Sequence, residues 1–591
     1  MAESILSPGV FTRENDISFV TPAPIEAGAA FVGPTVKGPV EVPTVVTSFG
    51  QYKNIFGDSF RFKNDTEEFL TSIAVRNYFS QGGNTALITR VVRDATSFGP
   101  ATSTKIKSAG YQTSGSLLED EYPFELETLG VGDIFNNATD DSTFETGSNN
   151  TLLSGSTENL RFEINGVDAD TGTFNLLVRR GDDSDNQKII LETFAGLTLD
   201  PESDNYIERR VGTARLSKTV QGGQTILQEV GEFPNRSNFI RVKEVNFKTF
   251  QYLKNDGETV NSFDDGTLYS DALPQEGDGA FFGGTGEVAP QNAILYKDFT
   301  NQNTQGLNPE GNDYVDAFNL LRNQDEFVFN IISAPGLVST KHGSAVNSLV
   351  SIAEGRTDCV VVVDLVDYGA DITSVTNSAK SINSSYAATY WPYLQVRTAA
   401  GKNEFIPPST LIPGVYALND NLSAPWFAPA GLTRGGIAGV IKPEIKLTKG
   451  FRDTLYKSNV NPIASFPGSG ISIFGQKTLQ KRASALDRVN VRRLLIELKK
   501  FFSDQARNLV FEQNTNATRN RFLSAVNPFM ENVVQRQGLF AFRIVMDETN
   551  NTADVIDRNQ LIGQIFIQPT RTAEFIVLDF TVEPTGATFD V

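Results

Sequence analysis

Residues 461–495 read NPIASFPGSGISIFGQKTLQKRASALDRVNVRRLL. Glycine and proline bend the first part into a loop, a short apolar strand ends at Gly475, and Lys and Arg then open a helix. Over residues 491–510, Val491, Leu494, Leu495, Leu498, Phe502 and Leu509 fall on one helical face. Arg492 with Lys499, and Arg493 with Lys500, recur seven apart on the other. Arg493 with Glu497 and Lys500 with Asp504 have i,i+4 spacing, worth roughly a few tenths of a kcal/mol per pair. Lys477, Lys481, Arg482, Arg488, Arg492, Lys499 and Arg507 have no such local partner. Two readings stand open for this basic face, a solvated surface and a partner-binding one.

Working outward, charge is strongly segregated along the 591 residues, whose net charge is −19. Residues 101–300 hold 33 Asp and Glu against 16 Lys and Arg. Residues 475–543 reverse this, with 13 basic against 5 acidic, and residues 544–591 turn acidic again, with 2 basic against 8 acidic. The acidic bulk argues against nucleic acid as a partner, because such binding depends on phosphate neutralisation. A basic segment beside an acidic tail instead lets one copy attract the next. No apolar run approaches the roughly 20 residues of a membrane span, and no signal-peptide layout opens the chain, so direct membrane insertion is not expected. The single Cys359 excludes an intrachain disulfide and, with the single His342, leaves too few ligands for a structural zinc site.

The length predicts several domains. Residues 1–21 have strand formers but little apolar surface and read as an N-terminal arm, with Val10, Phe11, Ile17 and Phe19 as its strand residues. Residues 22–99 alternate strand and helix as the first part of an α/β domain, with a helix expected over 67–79. Residues 100–290 are rich in turn residues and short alternating strands, and predict an all-β outer insertion of one or two domains. The α/β rhythm returns over 291–474, where Val360, Val361, Val362 and Val363 predict a strand buried on both faces. Residues 475–570 form a C-terminal domain, with a second helix starting at N-cap Asn527 and Pro528 and ending before Gly538. Residues 571–591 are a second arm, with Phe575, Val577 and Phe580 in its strand. The fold class expected is therefore multidomain, mixed α/β inside and β outside, with extended arms at both ends.

Catalytic, cofactor and metal sites are not predicted. Gly283-Gly284-Thr285-Gly286 and Gly431-Leu432-Thr433-Arg434-Gly435-Gly436 lack the Gly-Lys-Ser/Thr ending of a phosphate loop and read as turns. Asp364 ends a strand without a preceding Gly-x-Gly-x-x-Gly and reads as a structural carboxylate. His342 has no Ser, Cys and acid grouped with it, and Cys359 reads as a small hydrophobe on its strand. Asp182-Asp183 and Asp264-Asp265 lack EF-hand spacing and read as solvated loops.

The opening stretch closely resembles the contractile tail sheath family, whose pattern there is N-x-I-x-x-F-P-G-x-G-I-x-I-W-G-x-x-T-L followed by I-N-V-R-R-L. Phe474 stands where tryptophan is usual, and Gln476-Lys477 replace Ala-Arg. Residues 387–393 (AATYWPY), Pro407-Pro408-Ser409, residues 413–417 (PGVYA) with Asp420, residues 425–431 (PWFAPAG) and Ser7-Pro8-Gly9-Val10 are similar to family motifs in the same order. The resemblance implies a subunit, not an enzyme, that polymerises as stacked hexameric rings around a tail tube and contracts to drive the tube through a host envelope. Its implied partners are other copies of itself, the tube protein, and baseplate and terminator proteins; its implied place is a virion tail assembled in the host cytoplasm. It further implies arms that add strands to neighbouring copies and an innermost C-terminal domain, with Arg492, Arg493, Lys499 and Lys500 as candidates for contact with the tube or with a neighbour's acidic tail. A sheath from a phage-derived bacteriocin or an extracellular injection system is the alternative within that resemblance. A nucleotide-dependent α/β enzyme is the alternative from another class.

Overall fold

The structure is a computed structural model that describes residues 27–110, 122–222, 224–311, 313–468 and 470–575. Its organising element is one eight-stranded sheet built from both α/β stretches. The strands are β1 (Ala27–Gly33), β2 (Thr44–Val46), β3 (Ala86–Arg90), β4 (Phe329–Val338), β5 (Val360–Asp364), β6 (Ala387–Trp391), β7 (Asn461–Phe466) and β8 (Gly470–Ile473). They lie in the order β2-β3-β1-β4-β5-β6-β7-β8. Pairing is parallel from β3 to β7, and the edge strands β2 and β8 are antiparallel.

The valine run of β5 is buried on both faces, as its β-branched sequence predicts. Val362 joins Phe31, Ile331 and Tyr416 on one side, and Val361 and Val363 join Val32, Ile332 and Leu349 on the other. Helices α1 (Leu70–Ser80) and α3 (Ile412–Leu422) cover the first face; α2 (Gly343–Arg356) and α4 (Lys449–Lys457) cover the second. The sequence reading lacks α3, α4 and the helix Ile372–Ala379, and also the helix Phe49–Phe56, although Ser48 and Gln51 carry the start signal of the last. The Ser48 Oγ accepts from the Gln51 N–H at 3.1 Å, while the Gln51 side chain reaches back to the Thr47 N–H at 2.8 Å.

Residues 100–290 form two four-stranded antiparallel sheets, a separate hairpin of Arg215–Gln221 with Gln224–Val230, and a short helix, Ile207–Val211, that an all-β expectation omits. Phe124, Phe162, Leu176, Val178, Ile240 and Phe281 form a core shared by the two sheets. Part of the acidic excess is consumed internally. The buried Arg179 guanidinium bonds Asp183, Glu163 and Asp278 at 2.6–2.9 Å, and Asp182 pairs with Arg180. This insertion is fastened to the large sheet by buried charge rather than hung from a loop. Lys37 Nζ lies 3.0 Å from the Glu158 carboxylate, and Arg90 Nη1 donates to the Val131 carbonyl at 2.8 Å. Lys218 on the hairpin reaches Glu41 and Asp316 at 2.6 and 2.5 Å, and Leu227 packs against the second face of the sheet core.

Beyond the sheet, α5 (Val489–Arg507), α6 (Asn516–Gln535), β9 (Leu539–Val545) and β10 (Gln564–Pro569) share a core of Leu494, Leu498, Phe522, Val526, Met530, Val533 and Leu539. Ala424 and Trp426, which follow α3, complete that core, so its packing crosses the expected boundary at residue 475. The expected helix start at Asn527-Pro528 is corrected: α6 begins after N-cap Thr515 and runs through Pro528. Phe522, Val526, Met530 and Val533 keep one face buried across the proline, which sits on the exposed side where the lost N–H bond costs least.

Two outcomes follow from these buried charges. Glu158→Ala leaves the Lys37 ammonium buried without its carboxylate, and the expected loss is about 3 kcal/mol in chemical denaturation. Lys37→Met together with Glu158→Leu should recover most of it, and an unchanged midpoint in Glu158→Ala would refute the fastening role. Asp364 is fully buried, and burial pushes its carboxyl up to about 7 despite bonds from the Ser409 N–H and hydroxyl at 3.1 and 2.5 Å. Because the folded pKa lies above the unfolded one, the contribution of the protonated acid is fully present below about pH 4 and is lost as pH rises to about 7, by at most about 1.4 kcal/mol per pH unit, after which the curve levels off. Asp364→Asn should flatten the decline of melting temperature between about pH 4 and 7 and leave the slope above pH 8 unchanged.

Candidate assembly interface

The hairpin β7–β8 carries the decisive motif, and its first residue explains the motif's asparagine. Asn461 Nδ2 donates to the carbonyls of Thr389 and Lys477 at 3.0 and 2.8 Å, and its Oδ1 accepts from the Lys477 N–H at 2.6 Å. One amide thus ties β6, β7 and the segment leading to α5. Gly475 is required by space: a Cβ there would lie 3.0–3.1 Å from Pro462, Tyr456 and Asn461. Phe474 is half-exposed, packs on Phe466 at 4.9 Å, and has the Arg452 guanidinium over its ring at 5.8 Å.

Arg492 and Arg493 do not lie on a solvent face; this corrects their reading as interface residues. Both are buried, at 5% and 4% exposure, between α5 and the sheet domain. Arg493 bonds both oxygens of Asp420 in α3, at 2.8 and 2.5 Å, and lies over the Tyr416 ring at 4.9 Å. Burial opposes its charge, but Asp420 outweighs burial and holds the guanidinium above its ordinary pKa. Arg492 donates to the Ser385 hydroxyl and lies over the Tyr386 ring at 4.0 Å; burial lowers its pKa. The physical reason is that the buried face of α5 is wider than a strict apolar stripe, because Trp426 and the β6 region enclose its first turns. Farther along, Lys499 is exposed and Lys500 is half-buried, with its pKa lowered by burial. Other cations of this stretch are also engaged: Lys477 Nζ donates to the Tyr456 carbonyl at 2.8 Å, and Arg488 pairs with Asp487 and Glu574 at 2.9 and 2.7 Å.

A surface that sequence reasoning did not single out is the sheet β9–β10. It has only two strands, paired antiparallel from Leu539↔Pro569 to Val545↔Gln564, and no third strand joins either edge among the described residues. Phe542, Ile544 and Ile567 pack on the helical core beneath, whereas Phe540 and Phe566 are exposed. The available signal was two apolar strands with too few polar residues to face water. Of the expected arm residues, Val10, Phe11, Ile17, Phe19, Val577 and Phe580 lie outside the described residues. Phe575 is 80% exposed and belongs to no strand.

The residues weighed for chemistry are spent on structure. His342 is buried, its Nδ1 accepting from the Val338 N–H at 3.0 Å and its Nε2 meeting the Thr300 carbonyl at 2.9 Å, and burial lowers its pKa. Cys359 is fully buried, which pushes its thiol up. Gly284 exchanges bonds with the Asn136 side chain at 2.7 and 2.8 Å, and Gly431 opens a helix of four residues. Asp265 caps the turn at Thr267, and no group of three or more His, Cys, Asp or Glu converges among the described residues.

Removing the Arg493 charge should therefore act on stability. Arg493→Gln leaves Asp420 without its bidentate partner, and about 3 kcal/mol of stability should be lost, read as a lower denaturation midpoint. Lys499→Gln, exposed on the same helix, should stay within about 0.5 kcal/mol.

Comparison with known proteins agrees with this architecture. Residues 308–479 match the phage tail sheath protein central domain, and residues 482–583 match the phage tail sheath C-terminal domain. The tail sheath protein of Vibrio phage KVP40 is 38% identical over 219 residues, 37% of this chain and 32% of the relative. That of Enterobacteria phage T4 is 34% identical over 260 residues, 41% of this chain. The chain thus spans 32% and 40% of the length of these two relatives. A sheath tail protein from Listeria innocua, 9% identical, shares the fold with a TM-score of 0.50 over 92% of this chain and 95% of its own. The likeness to phage tail sheath proteins thus lies on residues 308–479 and 482–583, the central and C-terminal domains of that family's models.

Proposed function

We propose that this chain is the structural, non-catalytic subunit of a contractile tail sheath, which polymerises as stacked hexameric rings around a tail tube. The observation that carries this reading is the sheet β9–β10, neither edge of which is joined by a further strand among the described residues and which exposes Phe540 and Phe566 at 67% and 56%. An isolated two-stranded sheet is marginal in water, and an open edge is a template for another strand. Arms from neighbouring copies, drawn from residues 1–21 and 571–591, would complete it by strand addition, giving each contact a fixed register through backbone hydrogen bonds. Such links bend without breaking. An extended lattice, trapped by tube and baseplate contacts, can then repack onto larger interfaces while its subunits stay tethered, driving the tube through a host envelope. The partners on this reading are other copies of the chain, the tube, and baseplate and terminator proteins, in a virion tail assembled in the host cytoplasm. Lys499 remains as an exposed cation of α5 that would face a tube or a neighbouring tail; Arg492 and Arg493 serve within the subunit.

Negative-stain imaging of the purified chain tests the assembly. Wild-type protein should form cylinders; Phe540→Lys with Phe566→Lys, and separately deletion of residues 1–20, should give folded monomers that do not. Cylinders from either variant would refute strand addition at this sheet. On purified tubes, Lys499→Glu should weaken assembly most at low ionic strength, because exposed charges are screened beyond a Debye length of about 8 Å at physiological salt.

A further inference from the structure

After β10 ends at Pro569, residues 570–575 form no strand and cross open space. A cleft of about 790 Å³, walled by Trp426, Tyr456 and Phe474, borders them. A second, of about 870 Å³, walled by Ala485, Val491 and Ile567, shares them as a wall. No apolar side chain of this strap is buried: Arg571, Thr572 and Ala573 are exposed, and so is Phe575. What holds the strap is polar. At its near end the Thr570 hydroxyl donates to the Gln537 carbonyl at 2.7 Å. At its middle Gln476 Nε2 donates to the Thr572 hydroxyl at 2.6 Å.

At its far end three elements converge on one carboxylate. Arg488, just before α5, donates from Nε to Glu574 Oε1 at 2.7 Å and from Nη2 to Oε2 at 3.0 Å. The Tyr456 hydroxyl, on α4, donates to Oε2 at 2.8 Å, and Gln476 Nε2, after β8, to Oε1 at 3.1 Å. Burial alone would raise the Glu574 carboxyl, but these bonds outweigh it and hold the group below its usual range. A segment fixed by apolar packing would resist release because it would re-expose hydrocarbon to water. A half-buried carboxylate and a guanidinium instead regain their hydration when they part, so this attachment is strong enough to order the strap and weak enough to open.

We propose that Glu574, Arg488, Tyr456 and Gln476 form a releasable clasp that fastens the root of the C-terminal segment to the sheet domain in the free subunit. The clasp opens when the residues beyond 575 engage another copy. This deepens the strand-addition reading and rests on it for the role of those residues; the clasp itself rests on the geometry of the described ones. The loop motif around Gly475 acquires a second task, since it presents Gln476 to the strap.

The test uses the full-length chain as a monomer and follows trypsin cleavage after Arg571, in the middle of the strap. Glu574→Gln should speed that cleavage about tenfold at an unchanged melting temperature, because cleavage tracks the open population. Arg488→Gln should do the same, and the double variant should add little, since both act on one clasp. Unchanged cleavage in Glu574→Gln would overturn the clasp, as would a melting temperature that falls in step with cleavage. The same variant should polymerise faster than wild type. Faster cleavage with unaltered polymerisation would refute the clasp's part in assembly. Wild-type protein that forms no cylinders would refute the sheath reading instead, independently of the cleavage result.

Discussion

The Arg493–Asp420 pair is the contact on which the relation between the sheet domain and the C-terminal helices depends. A guanidinium with 4% exposure has no water to fall back on, and its bidentate partner comes from α3, a helix of the sheet domain. Around it Tyr416 stacks beneath the charge and bonds Tyr390 of β6 at 2.6 Å. The start of α5 is thereby fixed to α3 and β6 at once, and Trp426, on the chain following α3, extends the same junction into the C-terminal core. Such a pair contributes orientation more than net stability, because desolvation cancels much of the attraction while breaking it leaves a lone buried charge. On the proposed reading, a subunit that transmits a rearrangement from one domain to the next would need this kind of stiff joint.

That stiffness contrasts with what lies beyond it. From Arg493 outward to β9–β10 the packing becomes apolar and half-exposed, then ends in a sheet with open edges and a strap held only by polar contacts. Rigidity at the junction and releasable attachment at the periphery are complementary. Force passing along a link between copies is delivered to the sheet domain only if the root of that link does not itself bend.

The sequence made the sheet legible where local signals were strong. Four consecutive valines announced a strand covered on both faces, and glycine and proline announced the bend between β7 and β8. It misled where a residue's partner is distant. Arg493 has Glu497 one turn away, yet bonds Asp420, 73 residues earlier, and a helical wheel drawn on α5 alone has no means of showing the Tyr416 ring below it. Pro528 gave a helix start because proline usually does; four buried residues on one face carried α6 through it. The insertion's charge likewise read as solvent-facing, whereas Arg161 and Arg179 are wholly buried among its carboxylates.

The open sheet was hidden for a different reason. That no third strand joins it among the described residues is a property of topology and not of composition. Edge strands in finished proteins are usually blunted by charge, proline or a covering element. Here β9 offers Phe540 and Ala541 to solvent, and β10 offers Ile565 and Phe566. A single exposed phenylalanine is ordinary, but two on a sheet that no third strand joins among the described residues, beside a polar strap that reaches an exposed Phe575, concentrate apolar surface beside the sheet's edges. Burial of that surface and pairing of those edges are satisfied together by one added strand, and separately by no other single event.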